Sequence, residues 1–332
     1  MYCQTGTWPD RVMTEVCDFR ELNQRIGRDY LSRRLQRQVE LAAKCYTRKG
    51  MTSFHPENSF LFSILLKYFL KSIGLYNKGR SNTIKYDFEH VRIAIPNLAE
   101  EFSGFRILQL SDLHADGLVD SGISLFSFLS KIECDLCVVT GDFRFLTYDN
   151  YDRALEITEF LLRAVQAPYG MWGILGNHDF VEFVPRLERA GLRMLLNEST
   201  QIEKDGARLC LAGVDDAHLY NCHDFERALQ GKSGKQPCIV LSHTPEVYRQ
   251  AKRAVVDYLI CGHTHGGQIC LPGGFSLITN SNCPKKITSG LWSCGRMQGY
   301  TSRGTGSSGL AVRFCCRPEV TLHQLSADKE GR

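Results

Sequence analysis

The chain has 332 residues, 43% hydrophobic and 23% charged, a composition that suits one globular domain with an appendage and excludes collagen-like, coiled-coil and disordered classes. Its formal net charge of +4 hides an asymmetry, because residues 1–90 carry 15 Lys and Arg against 9 Asp and Glu and the remainder is slightly acidic. That remainder is poorly suited to strong phosphate-backbone binding, so no nucleic-acid partner is expected.

The first residues, Met1-Tyr2-Cys3-Gln4-Thr5, lack the apolar stretch of a signal peptide. Residues 11–49 are polar, Arg-rich and helical in pattern, with Leu22, Ile26, Tyr30 and Leu31 as a thin apolar stripe. After a loop from Gly50 to Asn58 comes the most apolar stretch of the chain, Ser59 to Tyr76. Its Ser59, Ser63, Lys67 and Lys71 form an i, i+4 row, and Phe60, Phe62, Ile64, Leu65, Tyr68, Phe69 and Ile73 cover the rest of the cylinder. The two lysines argue against a span, which needs about 20 mostly apolar residues. A helix lying in the membrane interface is expected instead, and a helix packed on the protein's own core is the alternative. Residues 1–83 thus read as a basic, helical extension whose segment 59–76 meets a membrane surface.

From Ile84 the apolar period changes to two. Ile84, Tyr86 and Phe88, then Val91, Ile93 and Ile95, predict edge or hairpin strands. Strand-like runs follow at Phe105–Leu110, Leu136–Thr140, Met171–Leu175, Leu209–Val214, Ile239–Ser242 and Tyr258–Cys261. They alternate with helix-like runs at Ser121–Lys131, Arg153–Val165, Phe180–Ala190, Asp224–Gln230 and Pro245–Arg253. This alternation predicts a layered α/β fold over residues 84–332. The 14 cysteines are scattered, several inside the strand-like runs, and no second CxxC accompanies Cys134/Cys137. They read as buried thiols, which together with the N-terminus favours a cytoplasmic setting.

Five strand-like runs end in metal-seeking groups. Phe105–Leu110 leads to Asp112 and His114, Leu136–Thr140 to Asp142, and Met171–Leu175 to Gly176-Asn177-His178-Asp179. Ile239–Ser242 leads to His243, and Tyr258–Cys261 to Gly262-His263-Thr264-His265-Gly266-Gly267. Carboxyl ends of strands are where α/β folds collect ligands. Carboxylate, imidazole and amide oxygen together suit borderline metals such as Mn, Fe or Zn better than an all-thiolate site would.

This series resembles the calcineurin-like metallophosphoesterase superfamily, over about residues 85–325. Within it, Gly262–Gly273 (GHTHGGQICLPG) resembles a bacterial, membrane-associated subgroup that includes a UDP-2,3-diacylglucosamine pyrophosphatase of lipid A synthesis. The resemblance implies a four-layer α-β-β-α sandwich and two divalent metal ions, of Mn, Mg, Fe or Zn. It implies that Asp112, His114 and His265 hold one ion, that Asn177, His243 and His263 hold the other, and that Asp142 bridges them. His178 is implied to face the phosphate as the catalytic residue. Two ions about 3.5–4 Å apart can hold a bridging water, lower its pKa and clamp phosphoryl oxygens during attack.

One departure stands out: where many members of that family carry a second Asp, three residues after the bridging one, this chain has Phe145. Asp179 or a backbone carbonyl is then left to orient His178. Arg144 is a candidate phosphate clamp, and Arg303, in the glycine-rich tail Thr301–Gly309, a second candidate for substrate binding. That tail reads as a mobile turn near the site. The expected reaction is hydrolysis of a phosphate ester or anhydride of a membrane-associated substrate, such as UDP-2,3-diacylglucosamine, giving UMP and a lipid sugar phosphate. The expected place is peripheral, on the inner face of the membrane, with no obligatory protein partner. The alternatives are a soluble phosphodiesterase or phosphatase of nucleotides or phosphoproteins and, from another class, a non-catalytic binding scaffold.

Overall fold

The computed structural model describes residues 19–46, 60–145, 151–276 and 278–327. The Gly50–Asn58 loop, Ser59 and the side chains of Phe60 and Phe62 lie outside the described residues. Four helices come first: α1 (Arg20–Ile26), α2 (Arg28–Tyr46), α3 (Phe60–Ser72) and α4 (Tyr76–Asn82). Then follow β1 (Asp87–Ile95), β2 (Arg106–Leu110), α5 (Ile123–Leu129), β3 (Leu136–Thr140), α6 (Asp152–Leu162) and β4 (Met171–Ile174). After them come α7 (Val184–Arg189), β5 (Leu192–Met194), β6 (Glu198–Lys204), β7 (Ala207–Gly213), α8 (Phe225–Ala228) and β8 (Cys238–Leu241). The chain continues through α9 (Tyr248–Arg253), β9 (Tyr258–Cys261), the small hairpin β10 (Cys270–Leu271) and β11 (Phe275–Ser276), then β12 (Gly290–Cys294), β13 (Met297–Thr301) and β14 (Glu319–Ala327).

Two six-stranded sheets form the frame, in the orders β1-β14-β2-β3-β4-β5 and β12-β13-β9-β8-β7-β6. Strands β2 to β5 run parallel, as do β7, β8, β9 and β13. Period-two patterning decides which side chains go where. In β3, Leu136 and Val138 point into the core between the sheets, where they meet Ile239 and Leu241 of β8. Cys137 and Val139 point outward, into a core shared with α5, α6 and α7, and Cys238 and Val240 do the same toward α8 and α9. Both faces of each sheet are apolar because both are covered, which is the condition for parallel strands. The architecture is the four-layer α-β-β-α sandwich.

After Ile84 the edge strand forms rather than the hairpin: Phe88 and the run from Val91 to Ile95 lie together in β1, paired parallel with β14. Between them stand only Glu89 and His90, which supply no turn chemistry. The helices before residue 84 also pack on the sandwich. Leu22, Ile26, Tyr30 and Leu31 are all buried in the same core as the inner-strand residues Leu108 and Leu110 and the α7 residue Leu187. The apolar stripe read in the sequence therefore docks α1 and α2 on the catalytic sandwich.

Helix α3 behaves differently. Leu70 is buried, but Leu65, Tyr68 and Phe69 are 60%, 65% and 58% exposed and Ile73 is also open. Among the described residues no helix is long and apolar enough to cross a membrane. The described cysteines are free thiols, most of them buried.

The two sheets are also tied by a polar link. His323 of β14 is fully buried, and its Nδ1 accepts from the Tyr258 hydroxyl of β9 at 2.8 Å while its Nε2–H donates to Gln109 Oε1 at 3.0 Å. Burial pushes its pKa from 6.5 down to about 3. The unfolded chain therefore takes up a proton below about pH 6.5 that the folded one refuses until about pH 3, so this group removes stability as pH falls through that window. The slope is at most about 1.4 kcal/mol per pH unit. His323→Gln, which keeps a donor and an acceptor, is expected to flatten the fall in urea-unfolding free energy between pH 6.5 and 4, and parallel profiles for the two proteins would refute this.

Candidate metal centre

The seven residues expected to hold metal arrive from five strand ends. Asp112 and His114 follow β2, Asp142 follows β3 and Asn177 follows β4, all on the first sheet; His243 follows β8, and His263 and His265 follow β9, on the second. The loops are tightly coiled. Asp112, His114, Asp142, His263 and His265 all have φ between 40° and 74°. This left-handed region costs a non-glycine residue on the order of 1 kcal/mol, and such residues gather where function requires them.

The glycines of the motifs serve two different needs. Gly141 adopts a φ of 86°, as a tight turn requires. Gly176 and Gly262 are instead required by close approach. A Cβ on Gly176 would collide with Asp142 Oδ1, and one on Gly262 with Ser111 Oγ and Asp112 Oδ2.

Together these ends form three groups of potential ligand atoms within 4.8 Å of one another: Asp112, His114 and His265; His114, Asp142 and His178; Asp142, His243 and His263. Asn177 joins the third through its Oδ1, 2.9 Å from His243 Nε2. Asp142 lies at the centre, with Oδ2 3.7 Å from His114 Nε2, 3.3 Å from His243 Nε2 and 4.0 Å from His178 Nε2.

The donor set fits divalent cations. His114 Nδ1 donates to the Arg144 carbonyl at 2.7 Å, His243 Nδ1 to that of Thr140 at 2.8 Å, and His263 Nε2 to that of Asn280 at 3.1 Å. A carbonyl partner fixes the proton on the outer nitrogen and turns a bare lone pair inward. These inner nitrogens crowd each other, with His114 Nε2 3.1 Å from His265 Nε2 and His263 Nδ1 3.3 Å from His243 Nε2. Burial holds the pKa values of His114, His263 and His265 down, keeping them neutral. Burial alone would raise the Asp142 carboxyl, yet His243, His178 and His114 hold it well below the usual range. Burial likewise opposes a charge on His243, and Asp142 and Asp112 still raise its pKa to about 10. The cluster therefore demands positive charge between its carboxylates.

His178 is oriented by a residue the sequence left open. Its Nδ1–H donates to the backbone carbonyl of Phe145 at 2.9 Å, so the position that lacks the family's Asp still supplies the acceptor, from its main chain. Asp179 does other work. Its carboxylate accepts from the amides of Asp142, Phe143 and Gly176 at 2.7–2.8 Å, tying the loops after β3 and β4 together.

The two arginines expected to bind substrate do not line the cavity. Arg144 is buried, donates to the His178 carbonyl at 2.5 Å and lies over the Phe180 ring at 3.9 Å. Arg303 is paired with Glu319 and Glu89, both at 2.6 Å. The glycine-rich tail is closely packed as well. The amides of Thr305 and Gly306 donate to the carbonyls of Ser111 and Asp112, and a Cβ on Gly306 would strike Leu113.

Two supporting residues carried no motif. Arg313 is fully buried, with its guanidinium on the carbonyls of Arg303, Gly304, Gly306 and His265 and 3.3 Å from His265 Nδ1. His218 packs its ring 4.2 Å from that of His263 and bonds Glu246 at 2.9 Å. Their contacts to His265 and His263 span 48 and 45 residues, so no spacing could have announced them.

A cavity of about 260 Å³ opens over the cluster. Asp142, Asn177, His178, His263 and His265 form its floor, and Leu66 of α3 with Ile269, Ile278 and Leu310 forms an apolar wall. No lysine or arginine lines it among the described residues, so among these a phosphate would meet imidazoles and metal ions rather than fixed positive side chains. Gly262→Ala is expected to displace Asp112 and lower bound manganese at least ~10-fold by elemental analysis, with near-wild-type circular dichroism. Full metal retention would sink this account of the glycine.

A family model for calcineurin-like phosphoesterase matches residues 105–267, which include all seven strand-end ligand candidates. The metallophosphoesterase YkoQ of Bacillus subtilis is 29% identical over 80% of this chain and 100% of its own length. The metallophosphoesterase YkuE of the same organism is 30% identical over 68% of this chain and 80% of its own, and the phosphodiesterase YaeI of Escherichia coli is 29% identical over 72% and 88%. The chain belongs to the calcineurin-like phosphoesterase family and is a phosphoester hydrolase that works with a centre of two divalent metal ions.

Proposed function

We propose that this hydrolase acts on a phosphodiester or phosphoric anhydride whose one arm is an apolar, membrane-resident group. One observation carries the reading: the metal-seeking cluster and α3 share a single cavity. The inner face of α3 lines it with Ser63 and Leu66, while Leu65, Tyr68 and Phe69 of the same helix face outward and exposed. Leu271, Phe275 and Ile278, at the hairpin on the other lip, are exposed as well. An apolar rim of this kind suits insertion at the headgroup boundary, with Lys67, Lys71, Lys78 and Arg80 available to anionic headgroups. An acyl arm could pass from the bilayer along Leu66, Ile269 and Leu310 with its phosphate over the cluster. UDP-2,3-diacylglucosamine is the specific candidate. The reducing, inner face of the membrane is the proposed location, in keeping with the buried free thiols.

In this reading Asp112, His114 and His265 hold one ion, Asn177, His243 and His263 the other, and Asp142 both. Bound there, two divalent ions supply Lewis acidity, which acidifies a water and neutralises phosphoryl oxygens. The chain's own contribution is orientation and proton handling. Phe145 fixes the ring of His178 so that Nε2 faces the cavity; burial disfavours the imidazolium there, an anionic phosphate beside it would favour it, and the Nε2 proton of that imidazolium could then pass to the leaving oxygen.

The test compares UMP release from UDP-2,3-diacylglucosamine in mixed vesicles with hydrolysis of bis(p-nitrophenyl) phosphate, both with manganese. Asp142→Asn is expected to abolish both activities, by at least ~10³-fold. Leu65→Glu with Phe69→Glu is expected to abolish vesicle binding and UMP release and to spare the aryl diester. If the vesicle substrate is untouched while the aryl diester is cleaved, the lipid-linked substrate is wrong and the soluble phosphodiesterase reading takes its place.

A further inference from the structure

We infer that Arg34 of α2, which lies outside the matched family region, is a positioning residue for the catalytic loop Asn177–Glu182. The argument rests on the assigned role of His178. Arg34 and Gln38 stand one helical turn apart and face the same loop. Arg34 is fully buried, and its three nitrogens go to three places: Nε to Asp215 Oδ2 at 2.9 Å, Nη1 to Gln38 Oε1 at 2.8 Å and Nη2 to the Asp179 carbonyl at 3.0 Å. Gln38 extends the clamp, its Oε1 accepting from the Val181 amide and its Nε2 donating to Glu182, both at 2.8 Å. From the opposite side, Arg144 holds the adjoining His178 carbonyl. Two successive carbonyls at the catalytic histidine are thus each gripped by a buried guanidinium, one from the catalytic sandwich and one from the N-terminal helices.

Stability alone does not account for this arrangement. A buried ion pair such as Arg34–Asp215 is often replaceable by apolar packing at no loss of stability. Tyr30 adds its hydroxyl to the same Asp215 oxygen at 2.5 Å, and the Tyr220 ring covers the guanidinium at 3.5 Å. The cluster therefore fixes the guanidinium rigidly and leaves one free edge, and that edge meets the backbone beside His178. A planar fork can do this, whereas an ammonium offers a point charge only.

The experiment uses the full chain with manganese and bis(p-nitrophenyl) phosphate. Arg34→Lys keeps a charge for Asp215 and loses the fork. Its kcat is expected to fall by about 10- to 100-fold with KM within about twofold, because displacement of a reacting group by an ångström costs that much. Hydrogen–deuterium exchange is expected to quicken in the peptide covering 177–182 and not in β8. Gln38→Met, which keeps Arg34 whole, provides the second variant should the lysine variant fold poorly, with the same pattern expected at smaller amplitude. An unchanged kcat in a folded variant, unchanged exchange at 177–182, or exchange quickened uniformly along the chain would each overturn the inference. His178→Ala serves as reference: if it keeps wild-type kcat, the role given to His178 fails, while the exchange at 177–182 still reports on Arg34.

Discussion

The structure turns on one carboxylate. Asp142 Oδ2 lies within 4.0 Å of imidazoles from both sheets, His114 and His178 on one side and His243 on the other. No single strand or loop can create that meeting. It requires two sheets whose ends arrive together, and so it depends on the packed core between them, where Leu136 and Val138 meet Ile239 and Leu241. Side chains of close-packed size fix the sheet separation to within a fraction of an ångström, and a cluster of metal ligands needs that tolerance.

Around that carboxylate the loops are irregular, and their main-chain carbonyls would be stranded in a dry interior. Buried arginines answer them. Arg313 collects the carbonyls of the glycine-rich tail, Arg144 takes that of His178 and Arg34 that of Asp179. Each guanidinium carries a desolvation cost that acceptors must offset; Arg313 and Arg34 have several, and Arg144 adds the Phe180 ring to the His178 carbonyl. Left-handed backbone at five cluster residues is held against its own strain by the same scaffold. The tail that composition alone suggests to be mobile is therefore fixed, because the amides of Ser302, Thr305 and Gly306 and the carbonyls of Arg303, Gly304 and Gly306 are engaged.

The N-terminal quarter divides by the same physics. In α1 and α2 the apolar stripe is complementary to the outer face of the first sheet, and it is buried there. In α3 the apolar residues run around the helix, more of them than the protein's own surface can cover, so one side roofs the cavity and the other stays open. An uncovered apolar face adjoining a catalytic cavity is where a partner phase can meet the reaction, and this is why the membrane reading belongs to the substrate as much as to location.

Much of this was legible in the residues. Short continuous apolar runs located the buried inner strands nearly to the residue, because side chains pinned between two apolar layers leave no latitude in composition. The five polar strand ends named the metal-seeking set, because ligand chemistry restricts the residue types. Strands β5, β6 and β12 to β14 escaped, being short, edge-placed or polar on one face, and for β1 the edge and hairpin readings stayed open since alternation does not say what a strand pairs with. Arg144 and Arg303 looked like phosphate clamps because a charge in a sequence shows no partner, and the fold gave both to internal acceptors. The sequence by itself determined the layers, the strand ends and the kinds of ligand there, since burial and coordination each select residue type directly. Only the tertiary structure decided that Phe145 orients His178 through its carbonyl, that Arg34 reaches the catalytic loop, and that α3 walls the cavity. These contacts join distant residues through main-chain atoms and shared space, which leave no mark on residue type.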